Sequence, residues 1–528
     1  NRDQMTSETV IDREREKDVE LTSLFNYDDW GEQRSVVRPD GVQEHELTDP
    51  IARTTTQWLE GMGQTVTTNN LFDKPDSVVR IDLGETKISE HTYHYDGLGR
   101  TAEEYDAAGN WTRYEYDAFD RMTKTTLPDS NVVERQYAAH SSEDLPVKIS
   151  VNDRVLGEQG FDGLDRMVLS ITGGRASVYT FDPGQSQPKS VKRPSGVETG
   201  YVYRPELGED PEQRIAQEST AIYTYDPENA RLRTTEEEDD QGIKHSLERQ
   251  YFSTGDLKCE IRGQTGEAPR SMFYEYSRQG RLVSYIDVLE QTQFYRYDHL
   301  ARLTSTELGT TSSKFTYDKW SQLKTIDTVD GTQRLIIALE YDDFGRETLR
   351  TFDLGNQVIQ TLSQTYDEVD RLTQRILMQG AETLRKESYV YDSRGRLVDY
   401  GCTGSARPVD PYGKIIERQE FTFDAQDNMA FVVTTFEGGK HSIFFEYKNT
   451  EDPCQLTGLT NKLDPELPDD PLYPPRIDFC YDPDGNLLRD EVGRILAYDS
   501  LGRLISVSAL SGESGNDYHY DSLDTLDG

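Results

Sequence analysis

The stretch YDSRGR at Tyr391–Arg396 decides the fold, because variants of it recur along almost the whole chain. The unit begins with an aromatic residue, and the second position is usually Asp. Two variable residues follow, then Gly, Asp or Ala, and finally Arg or Asn. A second aromatic residue often stands two positions earlier, as Tyr389 does before Tyr391. Aromatic residues that stand two positions apart, among β-branched and other aromatic residues, predict a strand with both rings on one face. The clear copies lie at Tyr95–Arg100, Tyr105–Asn110, Tyr116–Arg121, Phe161–Arg166, Tyr276–Arg281, Tyr297–Arg302, Tyr341–Arg346, Tyr366–Arg371, Tyr391–Arg396, Phe423–Asn428, Tyr481–Asn486 and Tyr498–Arg503.

Each unit is predicted to be the turn of a β-hairpin. The Asp side chain accepts a hydrogen bond from a backbone N–H two residues on, and Gly or Asp later in the unit suits a positive φ. The Arg starts the return strand, and the aromatic ring is expected to pack against an aromatic ring of a neighbouring strand. The residues to which we assign this structural role are Tyr95, Asp96, Arg100, Tyr116, Asp117, Arg121, Tyr297, Asp298, Tyr341, Asp342, Gly345, Arg346, Tyr391, Asp392, Gly395, Arg396, Tyr498, Asp499, Gly502 and Arg503.

The fold class that follows is all-β, with hairpins in series forming one continuous antiparallel sheet. Neighbouring units are commonly 20 to 25 residues apart, and helical spacing with capping signals is scarce. Residues 1–26 are expected to be a linker or an edge strand, and 27–528 one repeat domain with insertions at about 401–418 and 451–476. The second insertion ends in a proline-rich run that cannot form a central strand.

Composition supports an unusual architecture and excludes several functions. The 528 residues carry a net charge of −40 and only 34% hydrophobic residues, yet 10% are aromatic. The aromatic content argues against disorder, so the low apolar content predicts a thin wall or an extended sheet. The acidic charge argues against nucleic acid and anionic membrane as partners, and no apolar run is long enough for a membrane helix.

Signals for chemistry are weak. The four cysteines form no CxxC pair, and His91 and His94 lie three apart, which places them on opposite faces of a strand. No GxSxG, HExxH or Walker A motif occurs. The aspartates of the units recur with every turn, whereas catalysis requires one pair. We therefore expect no catalytic, cofactor-binding or metal-binding residue, no cofactor, and no enzyme activity from this chain.

On these repeated units the sequence resembles the RHS/YD-repeat family, which includes bacterial Rhs proteins, the B and C components of Tc toxins, and animal teneurins. The resemblance runs from about Tyr27 to Tyr520. Within the family, the sequence is most similar to Rhs effectors exported by type VI secretion. It implies that the sheet spirals into a hollow shell, or cocoon, around a C-terminal toxic domain. It also implies a protein that is cytoplasmic in the producer and is then delivered to a target cell. The implied partners are the enclosed C-terminal toxin fragment, an N-terminal fragment and a tip protein of the secretion machine.

The family's paired DPxG motifs, which serve autoproteolysis, have two partial counterparts here. These are DPYG at Asp410–Gly413 and DPDG at Asp482–Gly485, and the second lies within an ordinary unit, which favours a turn. The autoproteolytic core and the toxin are expected C-terminal to this chain.

Two other classes of function stay open. One is an extracellular scaffold that recognises protein or glycan, for which Asn110-Trp111-Thr112 offers one glycosylation sequon. The other is a carbohydrate-active enzyme, which needs two carboxylates converging in a cleft lined by Trp. Only four Trp residues are present, which disfavours the enzyme.

Overall fold

The structure is a computed structural model that describes residues 4–14, 17–239, 242–355, 358–464, 473–510 and 514–526. Within these ranges the regular structure is β-strand, apart from one 3-10 turn at Pro205–Leu207. The prediction of an all-β fold is confirmed.

The strands are short and follow one another with tight turns between them. The first twenty are β1 (Ser7–Glu14), β2 (Lys17–Tyr27), β3 (Gln33–Val37), β4 (Gln43–Asp49), β5 (Thr54–Leu59), β6 (Gln64–Asn69), β7 (Pro75–Ile81), β8 (Lys87–Tyr95), β9 (Thr101–Tyr105), β10 (Trp111–Tyr116), β11 (Met122–Thr126), β12 (Val132–Tyr137), β13 (Pro146–Val151), β14 (Arg154–Phe161), β15 (Met167–Thr172), β16 (Arg175–Thr180), β17 (Ser190–Lys192), β18 (Glu198–Arg204), β19 (Asp210–Ile215) and β20 (Ser219–Tyr225). The next twenty are β21 (Leu232–Asp239), β22 (Lys244–Tyr251), β23 (Leu257–Gln264), β24 (Arg270–Tyr276), β25 (Leu282–Ile286), β26 (Thr292–Tyr297), β27 (Leu303–Leu308), β28 (Thr311–Tyr317), β29 (Leu323–Asp330), β30 (Gln333–Tyr341), β31 (Glu347–Asp353), β32 (Ile359–Tyr366), β33 (Leu372–Gln379), β34 (Glu382–Tyr391), β35 (Leu397–Thr403), β36 (Ile416–Phe423), β37 (Met429–Phe436), β38 (Gly439–Glu446), β39 (Gly458–Leu463) and β40 (Arg476–Asp478). Three more, β41 (Leu496–Tyr498), β42 (Leu504–Val507) and β43 (Asn516–Asp517), form a separate small sheet.

The first 40 strands form one sheet in which each strand pairs antiparallel with the strand before it and the strand after it. The segment 1–26 contains β1 and most of β2, with β1 paired to β2. The predicted insertion at 401–418 overlaps the ends of β35 and β36. The insertion at 451–476 includes β39, which pairs with both β38 and β40, while its proline-rich residues 465–472 lie outside the described residues. The division into domains stays a prediction.

The sheet winds back onto itself. The indole Nε1 of Trp320 donates to the carbonyl of Glu60 at 2.9 Å, across 260 residues of sequence. Arg214 donates to Asp524 at 2.8 Å, across 310 residues. We call this set of contacts between turns of the spiral the seam. Its side-chain and backbone bonds join Asp12 to Ser277, Gln279 and Arg281, Glu60 to Trp320, Gly63 and Leu83 to Asp343, Arg80 to Asp370, Asp129 to Arg394, Val151 to Gln426, Arg175 to Asp452, Arg193 to Leu501, Ser195 to Asp484, Arg214 to Asp524, Gln217 and Glu218 to Ser500, Tyr223 and Thr235 to Ser522, and Glu237 to Arg503.

One turn of this spiral encloses more space than a single sheet fills. Between Glu60 and Trp320 lie the 23 strands from β6 to β28. At about 4.8 Å per strand, one turn has a perimeter of about 110 Å, which is about 35 Å across if circular, whereas one sheet layer is about 10 Å thick. The interior of the turn is therefore not filled by the wall itself.

The exposed area agrees with a thin wall. The accessible surface is 30221 Å² for 60.3 kDa, whereas a compact protein of that mass exposes about 19,500 Å². Fully buried apolar side chains are correspondingly few and scattered, with one small cluster formed by Tyr400, Cys402 and Ile416. The low apolar content of the sequence thus has its cause in the hollow spiral.

Candidate functional site

The repeated unit is built around one carboxylate. In Tyr391–Arg396 the hairpin closes with the N–H of Asp392 donating to the carbonyl of Arg396 at 2.9 Å. The Oδ1 of Asp392 accepts from the backbone N–H of Arg394 at 2.9 Å and of Arg396 at 3.0 Å. Its Oδ2 accepts from Nε of Arg396 at 2.7 Å. The predicted Asx turn is present, and the bond from the Arg side chain extends it.

A positive φ completes the turn. Gly395 has φ of 81°, and the matching positions of other units, Asp120 and Ala301, have φ of 63° and 67°. This is the left-handed region that Gly and, among other residues, Asp or Asn adopt most readily. In the strand, the register shifts by one residue between Val390 and Tyr391, so a β-bulge precedes this turn.

The Asp carboxylate is held in its charged form. Burial acts to raise the pKa of Asp392, but the Arg396 side chain and the backbone N–H groups outweigh it and hold that pKa below its usual value. In the same direction, Asp96, Asp117 and Asp162 have pKa values lowered by their own unit's Arg and N–H groups, with burial opposing.

The Arg of each unit also binds the following unit. Nη1 of Arg396 donates to the carbonyl of Asp424 at 3.1 Å and to the carboxylate of Asp427 at 2.7 Å. Its guanidinium carbon lies 5.1 Å from the centre of the Phe423 ring, within cation–π distance. One Arg therefore joins its own turn to the next turn and to the next aromatic ring.

The aromatic residue binds the preceding unit. The hydroxyl of Tyr391 donates to the carbonyl of Leu372 at 2.8 Å, and the guanidinium of Arg371 lies 4.9 Å from the Tyr391 ring centre. The expectation that the ring packs on another aromatic holds at Tyr276, which lies beside Phe252, but is wrong at Tyr391. The reason is that the Arg of the preceding unit occupies the face of the ring.

The other predicted residues take the same places. The Arg side chains of Arg100, Arg121, Arg346 and Arg503 donate through Nε to Asp96, Asp117, Asp342 and Asp499 of their own units at 2.6–2.8 Å, and Arg302 does so to Asp298 at 2.9 Å. The Tyr hydroxyls donate to earlier carbonyls, as Tyr95 does to Pro75, Tyr116 to Thr101, Tyr297 to Leu282, Tyr341 to Leu323 and Tyr498 to Leu487. Gly345 and Gly502 have φ of 80° and 77°.

Both DPxG motifs are turns of this kind. The Oδ1 of Asp410 accepts from the N–H of Tyr412 and Lys414, and the Oδ1 of Asp482 accepts from the N–H of Asn486. Each of these carboxylates has the place that Asp392 has in its own unit.

The seam contains the densest buried charge, which reasoning from the sequence missed. The Arg214 guanidinium lies 3.2 Å from the Glu237 carboxylate, and both residues are less than a tenth exposed. Arg503 approaches the same carboxylate at 3.4 Å from the later turn. Burial acts to lower the pKa of Arg214, but the nearby Tyr223, Asp524 and Glu237 raise it overall. These residues lie one turn apart, and the repeat pattern carries no signal of that pairing.

The described residues contain no group of three or more His, Cys, Asp or Glu side chains arranged to hold a metal ion. No helix in the described ranges has the length and hydropathy needed to cross a bilayer. An open depression of about 620 Å³ lies between β8–β10 and the turns at Arg371 and Arg394.

Two sequence profiles match parts of the chain. A sequence profile described as Teneurin YD-shell matches residues 325–527, and one described as RHS Repeat matches residues 95–132. No curated protein sequence matches the chain significantly.

Solved structures share the fold. TcdB2-TccC3 without its hypervariable C-terminal region has a TM-score of 0.64 at 12% identity, covering 98% of this chain and 30% of that one. Complete TcdB2-TccC3 has a TM-score of 0.60 at 12% identity, over 98% of this chain and 31% of that one. The Photorhabdus luminescens Tc holotoxin pore has a TM-score of 0.56 at 12% identity, over 97% and 30%. This chain therefore spans less than a third of the length of the chains that it matches.

The predicted spiral of YD hairpins into a hollow shell is confirmed by the sheet and by these structures. The two sequence profiles match stretches of this hairpin repeat, so the resemblance to the RHS/YD-repeat family is confirmed over residues 95–132 and 325–527.

Proposed function

We propose that this chain is a wall segment of a shell that encloses a toxic domain of its own parent protein and protects it until delivery. The observation that carries the proposal is the seam, since contacts such as Trp320–Glu60 close a single sheet on itself around unfilled space. A toxin kept behind such a wall is separated from targets in the cell that makes it, without any inhibitor of its chemistry.

The comparison structures support this class of cargo. The name of one describes a hypervariable C-terminal region, and the name of another describes a Tc holotoxin pore. In the parent of this chain, we place the corresponding toxic fragment C-terminal to Gly528. Export by a type VI secretion system, with an N-terminal fragment and a tip protein as partners, and residence in the producer's cytoplasm before delivery, are the finer parts of the proposal.

The wall acts passively in this scheme. The carboxylates of the units, including Asp410 and Asp482 of the DPxG motifs, are occupied by backbone N–H groups of their own turns. A general acid or nucleophile needs a carboxylate that is open to substrate. We therefore propose that residues 1–528 perform no turnover and that autoproteolysis and toxicity belong to other parts of the parent.

The test is protection of the cargo. The chain is expressed together with the downstream part of its parent gene, and the purified complex is treated with protease. We expect the downstream fragment to stay intact while the shell is intact. A matched variant, Asp484→Ala, removes the seam bonds to the N–H and hydroxyl of Ser195 and is expected to increase cleavage of the cargo.

Full cleavage of the downstream fragment inside an intact shell contradicts encapsulation. That result favours the second candidate, an extracellular scaffold for recognition, for which the match to the Teneurin YD-shell profile is the supporting observation. Binding of the chain to a cell surface or a glycan array then becomes the measurement of interest.

A further inference from the structure

One unit of the repeat lacks its carboxylate. In Tyr276–Arg281 the position of Asp is occupied by Ser277, while Gly280 and Arg281 keep their places. The hairpin still closes as in other units, with the N–H of Ser277 donating to the carbonyl of Arg281 at 2.7 Å. The Ser277 hydroxyl accepts from the N–H of Arg281 at 3.1 Å, which replaces one of the usual Asp bonds. A short hydroxyl cannot reach the remaining donors.

The missing bonds are made by a residue from the other end of the spiral turn. Asp12, on β1, accepts through Oδ1 from the N–H of Gln279 at 2.8 Å, and through Oδ2 from the hydroxyl of Ser277 at 3.0 Å. The Arg281 guanidinium donates to the same Oδ2. In Tyr391–Arg396 the equivalent N–H and guanidinium groups bind Asp392. Asp12 thus makes, from 265 residues away, the contacts that a unit's own Asp makes.

We propose that the incomplete turn Ser277–Arg281 is a binding site for a side-chain carboxylate, and that its occupant is Asp12, which fastens the first strand of the chain to the next turn of the wall. The ligand class is an acidic residue presented on an extended strand. The inference goes beyond the proposed function, because it holds whether or not the shell contains a toxin.

Burial makes the contact specific. Asp12 has no exposed surface, and a buried carboxylate is stable only where donors replace its water. Burial acts to raise the pKa of Asp12, but the Gln279 N–H, the Ser277 hydroxyl and Arg281 lower it overall, so the carboxylate is charged at neutral pH. A neutral or longer side chain at position 12 would leave these donors short of a partner.

The strand that carries Asp12 depends on this site. In the ladder β1 pairs with β2. A second contact joins β1 to the later turn, because Nε2 of Gln279 donates to the carbonyl of Ile11 at 3.0 Å. The Asp12 carboxylate adds bonds from Ser277, Gln279 and Arg281, so it is a strong polar connection between β1 and the seam.

The experiment is amide hydrogen exchange on the full chain, read separately at Gln279 and along β1. In Asp12→Ser the Gln279 amide is expected to exchange about tenfold faster or more, the loss of a bond to a charged group, and β1 is expected to exchange faster as well. In Ser277→Asp the turn regains a carboxylate of its own, so Gln279 stays protected while Asp12 is repelled and β1 is released. In the double variant Asp12→Ser/Ser277→Asp we expect Gln279 to be protected again and β1 to stay released.

Glu8→Ser is the matched control, because Glu8 lies on the same strand with an exposed side chain. It is expected to change exchange at neither place, and amides of β33–β35 report that each variant is folded. Unchanged exchange of Gln279 in Asp12→Ser overturns the proposal. So does a double variant in which Gln279 remains as exposed as in Asp12→Ser.

Discussion

The regular block from β24 to β36 and the C-terminal region from residue 473 are held in place by different means. In the regular block, strands of five to ten residues pair on both sides, and an Arg such as Arg396 binds the turn and the ring of the next unit. In the C-terminal region, β41, β42 and β43 have only three, four and two residues. Side-chain contacts across the seam, such as Arg503–Glu237 and Tyr223–Ser522, connect this region to β20 and β21.

The difference shows that the sheet and the seam are separate sources of stability. Contacts between neighbouring units, such as Tyr317–Leu303 and Arg396–Asp424, join residues close in sequence and repeat with the unit, so the loss of one leaves its neighbours. Contacts of the seam are individual, and those of Glu237 and Asp12 are deeply buried, since both residues are at most 4% exposed. We therefore expect substitutions at these buried seam positions to cost more than substitutions in a unit, and to act on the region that the seam holds.

The largest effect is expected for Glu237→Ala. It removes the buried one of the two carboxylates that Arg214 and Arg503 share, the other being the half-exposed Asp524, and breaking a buried pair typically costs about 3–5 kcal/mol. Hydrogen exchange should show β41 and β42 opening while β33–β35 stay protected. Glu238→Ala, at the exposed neighbouring position, is the control. Equal exchange in both variants would show that the seam does not hold the C-terminal region.

A smaller effect is expected for Tyr391→Ala in the regular block. The ring is partly buried under Arg371, and its hydroxyl binds Leu372, so we expect a loss of about 2–4 kcal/mol in unfolding free energy, somewhat below a fully buried aromatic. Val390→Ala, at the adjacent position with 54% exposure, is expected to cost far less. Denaturant unfolding measures both, and equal costs would contradict the assigned packing.

Asp392→Ala is expected to cost about 1.5–3 kcal/mol, because it removes bonds from two backbone N–H groups and from the Arg396 guanidinium. Ser393→Ala, at a variable position of the same turn, serves as the comparison. A larger loss of unfolding free energy in Asp392→Ala than in Tyr391→Ala would contradict this order. It would show that the turn contributes more to stability than the ring does.

The smallest effect is expected for Tyr391→Phe. It keeps the ring beneath Arg371 and removes only the hydroxyl bond to Leu372, which is worth about 1 kcal/mol. The same denaturant series measures it. A cost equal to that of Tyr391→Ala would mean that the hydroxyl, and not the ring, joins successive units.

Reasoning from the sequence predicted the hairpin in detail and the seam not at all. The Asx turn of Asp392 and the positive φ of Gly395 follow from residues a few positions apart, where local chemistry decides. The Arg371–Tyr391 contact joins two units, and the unit alone does not say which ring the Arg covers. The Asp12 contact depends on how many strands complete one turn of the spiral, which no local pattern encodes. Ser277 was the available signal, since it breaks the unit while Arg281 keeps its place.

The central claim is that one sheet winds into a thin-walled, hollow spiral, and small-angle X-ray scattering of the purified chain tests it most directly. A compact chain of 528 residues has a radius of gyration of about 24 Å. We predict a clearly larger value, with a pair-distance distribution shifted towards long distances as expected for a shell. A radius of about 24 Å with the profile of a solid sphere would contradict the account.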